Sequence, residues 1–266
     1  MSYENATMKL LSACLVFLLF SCGVTQPDLE PEGSGVLVFT KTKGYRHGSI
    51  SDGVNMIESL GEKHGWEVEQ DESADPFNSL DSLLTYRVII WCNTSGNNLL
   101  NEAQRTNFEQ YIRQGGGFVG IHAATDTYRD GSWTWYNELV GAIVQSNPNH
   151  TKGDHVNTMD ISNKRHESVA HMGAEWEKRE EYYYWDENGG WLYDQNEILL
   201  TVRETTGPNG QVNGYDRARE MSWYKEYDGG RSFYTALGHH GSDYRDDQQF
   251  ISHVEGGILW AGGWVD

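Results

Sequence analysis

The chain has little cysteine, few basic side chains and no apolar run long enough to span a bilayer. Of its three cysteines, Cys14 and Cys22 lie near the N-terminus, which leaves Cys92 alone in the body of the protein. A single thiol there excludes an intramolecular disulfide framework. Lys and Arg number 20 against 39 Asp and Glu, for a formal net charge of −19. That balance argues against nucleic-acid binding, which needs a basic face. The apolar stretch Leu10 to Phe20 is too short to cross a membrane comfortably. There is no His-Glu-x-x-His motif, no internal repeat and no low-complexity block.

What the N-terminus does have is a targeting pattern. Lys9 precedes the apolar core, and the core ends in Leu19-Phe20-Ser21-Cys22. The length suits a signal peptide. Leu19, Ser21 and Cys22 match the bacterial lipobox, so we expect a signal peptide over residues 1–21 and lipidation at Cys22. The mature protein would then be anchored to the cell envelope through its N-terminal lipid. An ordinary secretory signal without lipid is the alternative. The stretch 22–34 is rich in Pro, Gly and acidic residues and reads as a tether. Residues 35–266 remain as one domain.

The domain is rich in aromatics, with ten Trp and fifteen Tyr in the chain. Core packing accounts for much of this. The clusters Tyr182-Tyr183-Tyr184-Trp185 and Trp133-Thr134-Trp135-Tyr136 would also suit a sugar, since flat rings stack on C–H faces while carboxylates accept from hydroxyls. Trp135, Tyr183, Trp223 and Tyr224 are the substrate-binding candidates of this kind.

The first half alternates strand and helix. Val36 to Thr40, Val88 to Trp91 and Phe118 to Ile121 are short apolar runs of the kind that form buried strands. Ile50, Val54, Ile57 and Leu60 recur at helical spacing, and Gly65 stops that helix. Asn101 with Gln104 forms a capping box that opens a helix carrying Phe108, Tyr111 and Ile112. Trp66 to Glu69 reads as a short exposed strand. This βαβαβ order predicts an α/β, doubly wound, mostly parallel sheet with helices on both faces. The second half has less pattern. Glu180 to Trp185, Ile198 to Val202, Met221 to Lys225 and Ser232 to Leu237 read as strands, with Asp228-Gly229-Gly230 as a hairpin turn. Asp160 to Ala174 reads as irregular. Asp247 to Trp260 reads as a closing helix.

Three apolar runs lead through glycine to histidine: Val36–Thr40 into His47, Phe118–Ile121 into His122, and Phe233–Leu237 into Gly238 and His239. Histidines just past buried strands lie at the carboxyl edge of the sheet, where open α/β folds bind ligands. His122 is the strongest position, because a histidine directly after a buried strand has little packing reason to be there. Asp126 could orient it, line a pocket or cap a helix. Arg46, beside His47, would suit a substrate oxygen or an enolate.

Three motifs, in order, carry a resemblance: Gly44-Tyr45-Arg46-His47-Gly48-Ser49-Ile50, Gly120-Ile121-His122-Ala123-Ala124-Thr125-Asp126, and Trp223 through His239. With the closing Gly256 to Gly262 they resemble the ThuA-like (trehalose-utilisation) family. The resemblance implies a flavodoxin-like fold similar to class I glutamine amidotransferases, and a link to sugar catabolism. It does not import glutaminase chemistry. The turn where those enzymes carry a nucleophilic cysteine holds His122 here, and Cys92 lacks the flanking glycines of an elbow. The family pattern also favours Glu181 over Glu180, His166 over His171, and His239, which follows the family's Leu-Gly pair, over His240.

The candidate site is thus His122, His47, Arg46, Asp126 and Glu181 for catalysis, with His122, His239 and His166 as metal ligands. Histidines plus a carboxylate suit zinc or another divalent metal. They suit metal-free acid/base chemistry equally. The expected activity is that of a carbohydrate-processing lyase or isomerase: proton abstraction beside the ketone of a keto-sugar or glycoside, then elimination or isomerisation. A non-catalytic glycan-binding lipoprotein is the alternative, and an amide or ester hydrolase is a third reading. If Cys22 carries the lipid, Cys22→Ser moves the protein out of the membrane fraction. Unchanged fractionation, with no lipid mass on the N-terminal peptide, refutes lipidation.

Overall fold

Strand β1 (Gly35–Phe39) is buried along its whole length, as expected of an apolar run with no polar face to turn to solvent. It lies in a nine-stranded sheet. The computed structural model describes residues 34–151, 153–186, 193–203 and 218–266. The signal, lipidation and most of the tether expectations lie outside the described residues.

After β1 come α1 (Ile50–His64), β2 (Glu67–Asp71), the single turn α2 (Leu80–Leu83), β3 (Tyr86–Cys92), α3 (Glu102–Arg113), β4 (Gly117–Ile121) and α4 (Thr134–Val140). The second half supplies β5 (His155–Ile161), α5 (Glu167–Ala170), β6 (Glu175–Glu180), β7 (Glu197–Val202), β8 (Arg219–Tyr227), β9 (Gly230–Thr235), α6 (Gly241–Asp246) and α7 (Gln248–Ala261). The sheet order is β2-β1-β3-β4-β9-β8-β7-β5-β6. The Asn101–Gln104 capping box opens α3, and Gly65 closes α1. No helix among the described residues is long and apolar enough to cross a membrane.

Pairings β1–β2, β1–β3, β3–β4 and β4–β9 are parallel. The remaining four, from β9–β8 out to β5–β6, are antiparallel. The sheet is therefore mixed, not mostly parallel. The reason is visible at Asp228-Gly229, which link β8 to β9 with φ of +48° and +98°. A two-residue turn can only reverse the chain, whereas a parallel crossover needs a dozen residues or more.

Helices cover both faces of the parallel half. Successive strand residues point to opposite faces. Trp91 packs on Phe108 of α3 and Tyr136 of α4, while Cys92 meets Gly53 of α1. Phe39, Phe77, Trp91, Phe108, Phe118, Trp133 and Tyr136 form one continuous aromatic contact. This core absorbs many of the aromatics that the composition offers to a sugar.

Two local expectations change. The strand expected at Glu180–Trp185 ends at Glu180, because the Glu180 carboxylate accepts the next backbone N–H, that of Glu181, at 3.0 Å. Such a local bond competes with the ladder. Beyond it, Tyr183 and Trp185 make only isolated bridges, to His150 and Val144. Strand β5 occupies a stretch without clean alternation, half-exposed along most of its length, and so had no apolar signature. Trp91 is fully buried at the centre of the aromatic contact. Trp91→Ala should destabilise the fold by about 3–5 kcal/mol, read as a lower urea midpoint. A loss below about 1 kcal/mol would mean that this contact is not central.

Candidate functional site

The end of β4 sets the geometry. The chain leaves the strand at His122 with φ +48°, a left-handed conformation that a non-glycine residue adopts at a cost. A short 3-10 turn, His122–Asp126, follows. The turn places the His122 ring beside β9, where Nδ1 lies 2.8 Å from the Ala236 carbonyl. A carbonyl only accepts, so Nδ1 carries the proton and the lone pair sits on Nε2.

Three groups converge on that lone pair. His47 Nε2 is 3.2 Å away, His239 Nδ1 3.3 Å and the Tyr183 hydroxyl 3.1 Å. Glu181 Oε2 lies 3.6 Å from His239 Nδ1. The Tyr183 ring stacks on His122 at 4.6 Å. His122 is fully buried and His47 nearly so. Burial, then the neighbouring histidines His239 and His150, pushes His47 down to about 4. Burial first, and then His47, holds His122 well below the ordinary histidine value. Both rings are neutral near pH 7 and present lone pairs, not charge.

Gly238 brings His239 to the cluster. Its φ of +106° is left-handed, and a side chain there would strike the Tyr244 hydroxyl. The backbone N–H groups of Gly238 and His239 donate to Glu180, at 2.9 and 3.3 Å. Glu180 thus holds two segments of the site from beneath, while Glu181 enters it. Burial, and next the Asp243 charge, raises the Glu180 carboxyl above its usual range.

Above the cluster is a cavity of about 410 Å³ whose walls include Tyr45, Asp126, Asn149, His150 and Tyr183. A slightly larger cavity, about 450 Å³, opens around Arg87 and Arg231, at the amino ends of the strands. It has no comparable convergence of histidines, so the smaller one is the candidate site. His150 had no strand or motif to flag it in the sequence. Its Nδ1 lies 2.8 Å from the Thr151 carbonyl, which leaves Nε2 as the basic nitrogen.

Several expected site residues lie elsewhere. Arg46 pairs with Glu72 and donates to the Thr40 carbonyl, both at 3.0 Å, beside a different cavity with Lys41 and Lys43. His166 caps α5, bonds Ser168 and lies against Tyr224. It is a core residue, outside the cluster. Trp135 is held on Asp228, Trp223 is fully buried with its N–H on the Val140 carbonyl, and the Tyr224 hydroxyl meets Asn163. Of the four substrate-binding aromatics only Tyr183 reaches the cavity. Asp126 lines the cavity and pairs with Arg129 at 2.9 Å.

His47, His122, Glu181 and His239 each offer one ligand atom, and these atoms lie within 4.8 Å of one another. Four zinc ligands at about 2.0–2.2 Å in a tetrahedron stand roughly 3.3–3.6 Å apart. The observed separations of 3.2, 3.3 and 3.6 Å fit that spacing. This set could hold a divalent cation.

Fold and site together define a mixed α/β protein with a buried histidine centre at the carboxyl edge of its parallel strands. The chain belongs to the ThuA family, described as trehalose utilisation, which it matches over residues 35–261. Among solved structures it resembles a ThuA-like protein of Bacteroides uniformis, at 21% identity and TM-score 0.67, covering 84% of this chain and 89% of that one. A ThuA-like protein of Parabacteroides merdae is similar at 18% identity and TM-score 0.63, covering 87% and 90%. A cytoplasmic protein of Salmonella typhimurium aligns at 14% identity and TM-score 0.57, covering 86% and 96%. At these identities the likeness concerns the fold. No curated protein matches the chain.

His166 tests the separation of core from site. Burial brings it down to about 4, against 6.5 for a free histidine. A depressed folded value means that the unfolded chain binds the proton first, so this histidine's contribution to stability is lost as pH falls from 6.5 toward 4. The stability advantage of the parent over His166→Asn should therefore shrink across that window, by up to about 3 kcal/mol. Denaturant titrations at pH 7 and 4.5 measure it. A constant difference would show that His166 is solvated.

Proposed function

We propose that this protein is an envelope-anchored enzyme of sugar catabolism that acts on keto-sugars or glycosides by proton abstraction beside a ketone, at a divalent-cation site. The observation that carries the reading is the convergence of three imidazole nitrogens and one carboxylate oxygen within 4.8 Å of one another. Lone pairs aimed at one point repel unless a proton or a cation lies between them. Depressed proton affinity at His47 and His122 favours the cation.

In this reading His47, His122, His239 and Glu181 are ligands. The His122–Ala236 bond fixes the tautomer, as partners behind metal-bound histidines do. A divalent cation bound there would supply Lewis acidity to the ketone oxygen. His150 takes the proton on the carbon next to the ketone, at Nε2. Tyr183 stays protonated, since burial first of all raises its hydroxyl well above its usual value, so it can donate to the departing glycosidic oxygen. In an elimination the C–H electrons form the new C=C bond, and the aglycone leaves with the Tyr183 proton. An isomerase acting on the same enolate would use the same groups. The lipobox at Leu19–Cys22 supports placement at the envelope, and the family description supports a sugar substrate.

Metal content of the purified chain, measured with turnover of a panel of 3-keto-glucosides by mass spectrometry, tests this. His122→Ala should lose the metal and lower turnover by about two to four orders of magnitude, while the fold persists. Full turnover by His122→Ala, or by chelated parent protein, would refute the cation site. Sugar binding without turnover by the parent would leave a glycan-binding lipoprotein instead.

A further inference from the structure

Tyr45 is the unusual side chain at the mouth of the cavity. It is 67% exposed, and only one other large apolar residue among those described, Val156, is comparably exposed. Yet its backbone is firmly held. The N–H groups of Lys43 and Gly44 donate to the Ser95 carbonyl at 2.8 and 3.1 Å. The Ser95 hydroxyl donates back to the Tyr45 carbonyl. The adjoining turn depends on Gly96, at φ +87°, where a side chain would collide with the Gly44 backbone. On the far side Arg46 is tied to Thr40 and Glu72. The Tyr45 ring meets His47 edge-on at 4.8 Å and 81°, and it is one wall of the cavity.

Covering an exposed aromatic takes apolar surface out of water, and a rigid one loses little entropy when covered. The cavity, about 410 Å³, lies near the small end of ligand pockets, roughly 300–1,000 Å³. One sugar ring over the histidines fills less than half of it, so a second ring fits in the same cavity, against the Tyr45 wall.

We propose that Tyr45 is the stacking platform for the second ring of a glycoside whose first ring lies over the histidine cluster. This rests on the sugar reading of the site. The second ring lays its C–H face on the phenol, and its hydroxyls stay in water.

Calorimetric titration of the full chain and of Tyr45→Ala and Tyr45→Phe with glucose and trehalose tests this. Tyr45→Ala should weaken trehalose about three- to tenfold and change glucose less than twofold. Tyr45→Phe should behave as the parent. Glucose bound normally, with trehalose insensitive to Tyr45→Ala or losing no more than glucose, overturns the platform while leaving the sugar site intact. Failure of the parent to bind either sugar overturns the sugar reading and this inference with it.

Discussion

The hydrogen bond from His122 Nδ1 to the Ala236 carbonyl is the contact on which the site depends. It crosses from β4 to the end of β9, between residues 114 positions apart. It fixes which nitrogen carries the proton, and so aims the other at His47, His239 and Tyr183. The parallel pairing of β4 with β9 is what brings the carbonyl within reach. The site therefore stands where the parallel half of the sheet meets the antiparallel half.

Burial divides the polar groups into two tiers. His47, Glu181 and His239 face the cavity, with His122 buried directly behind them. Glu180, Lys178 and Asp243 lie behind it, with the Lys178 ammonium 2.7 Å from Asp243 and Glu180 holding backbone N–H groups. Charges taken out of water must find partners, and here the partners are the turns that present His239 and Glu181. The same burial keeps His47 and His122 neutral. His150, a third exposed on its side chain, is the most open of the cavity's histidines.

The parallel strands and their helices were legible because buried strands and amphipathic helices impose opposite periods on the sequence, and Gly65 and Asn101 mark the helix ends. The three converging histidines were legible for a related reason, since a polar residue after an apolar run can only be an edge residue. The aromatics misled. Trp223 and Tyr224 sit inside a sequence motif, but a tryptophan looks the same in sequence whether its ring is in the core or at a mouth. His166 likewise serves packing. His150 and Tyr45 belong to loops, whose positions follow from what they dock against and not from local propensity.

Local pattern determined the elements of the first half and the delivery of His47, His122 and His239 to one edge. Each of these depends on near neighbours in the chain or on composition, so the sequence states them directly. Tertiary structure decided the mixed sheet, the exclusion of Arg46, Trp135 and His166 from the site, and the entry of His150 and Tyr45. Those outcomes depend on distances between residues far apart in sequence and on which side chains water can still reach, and both are fixed only when the sheet closes on β9.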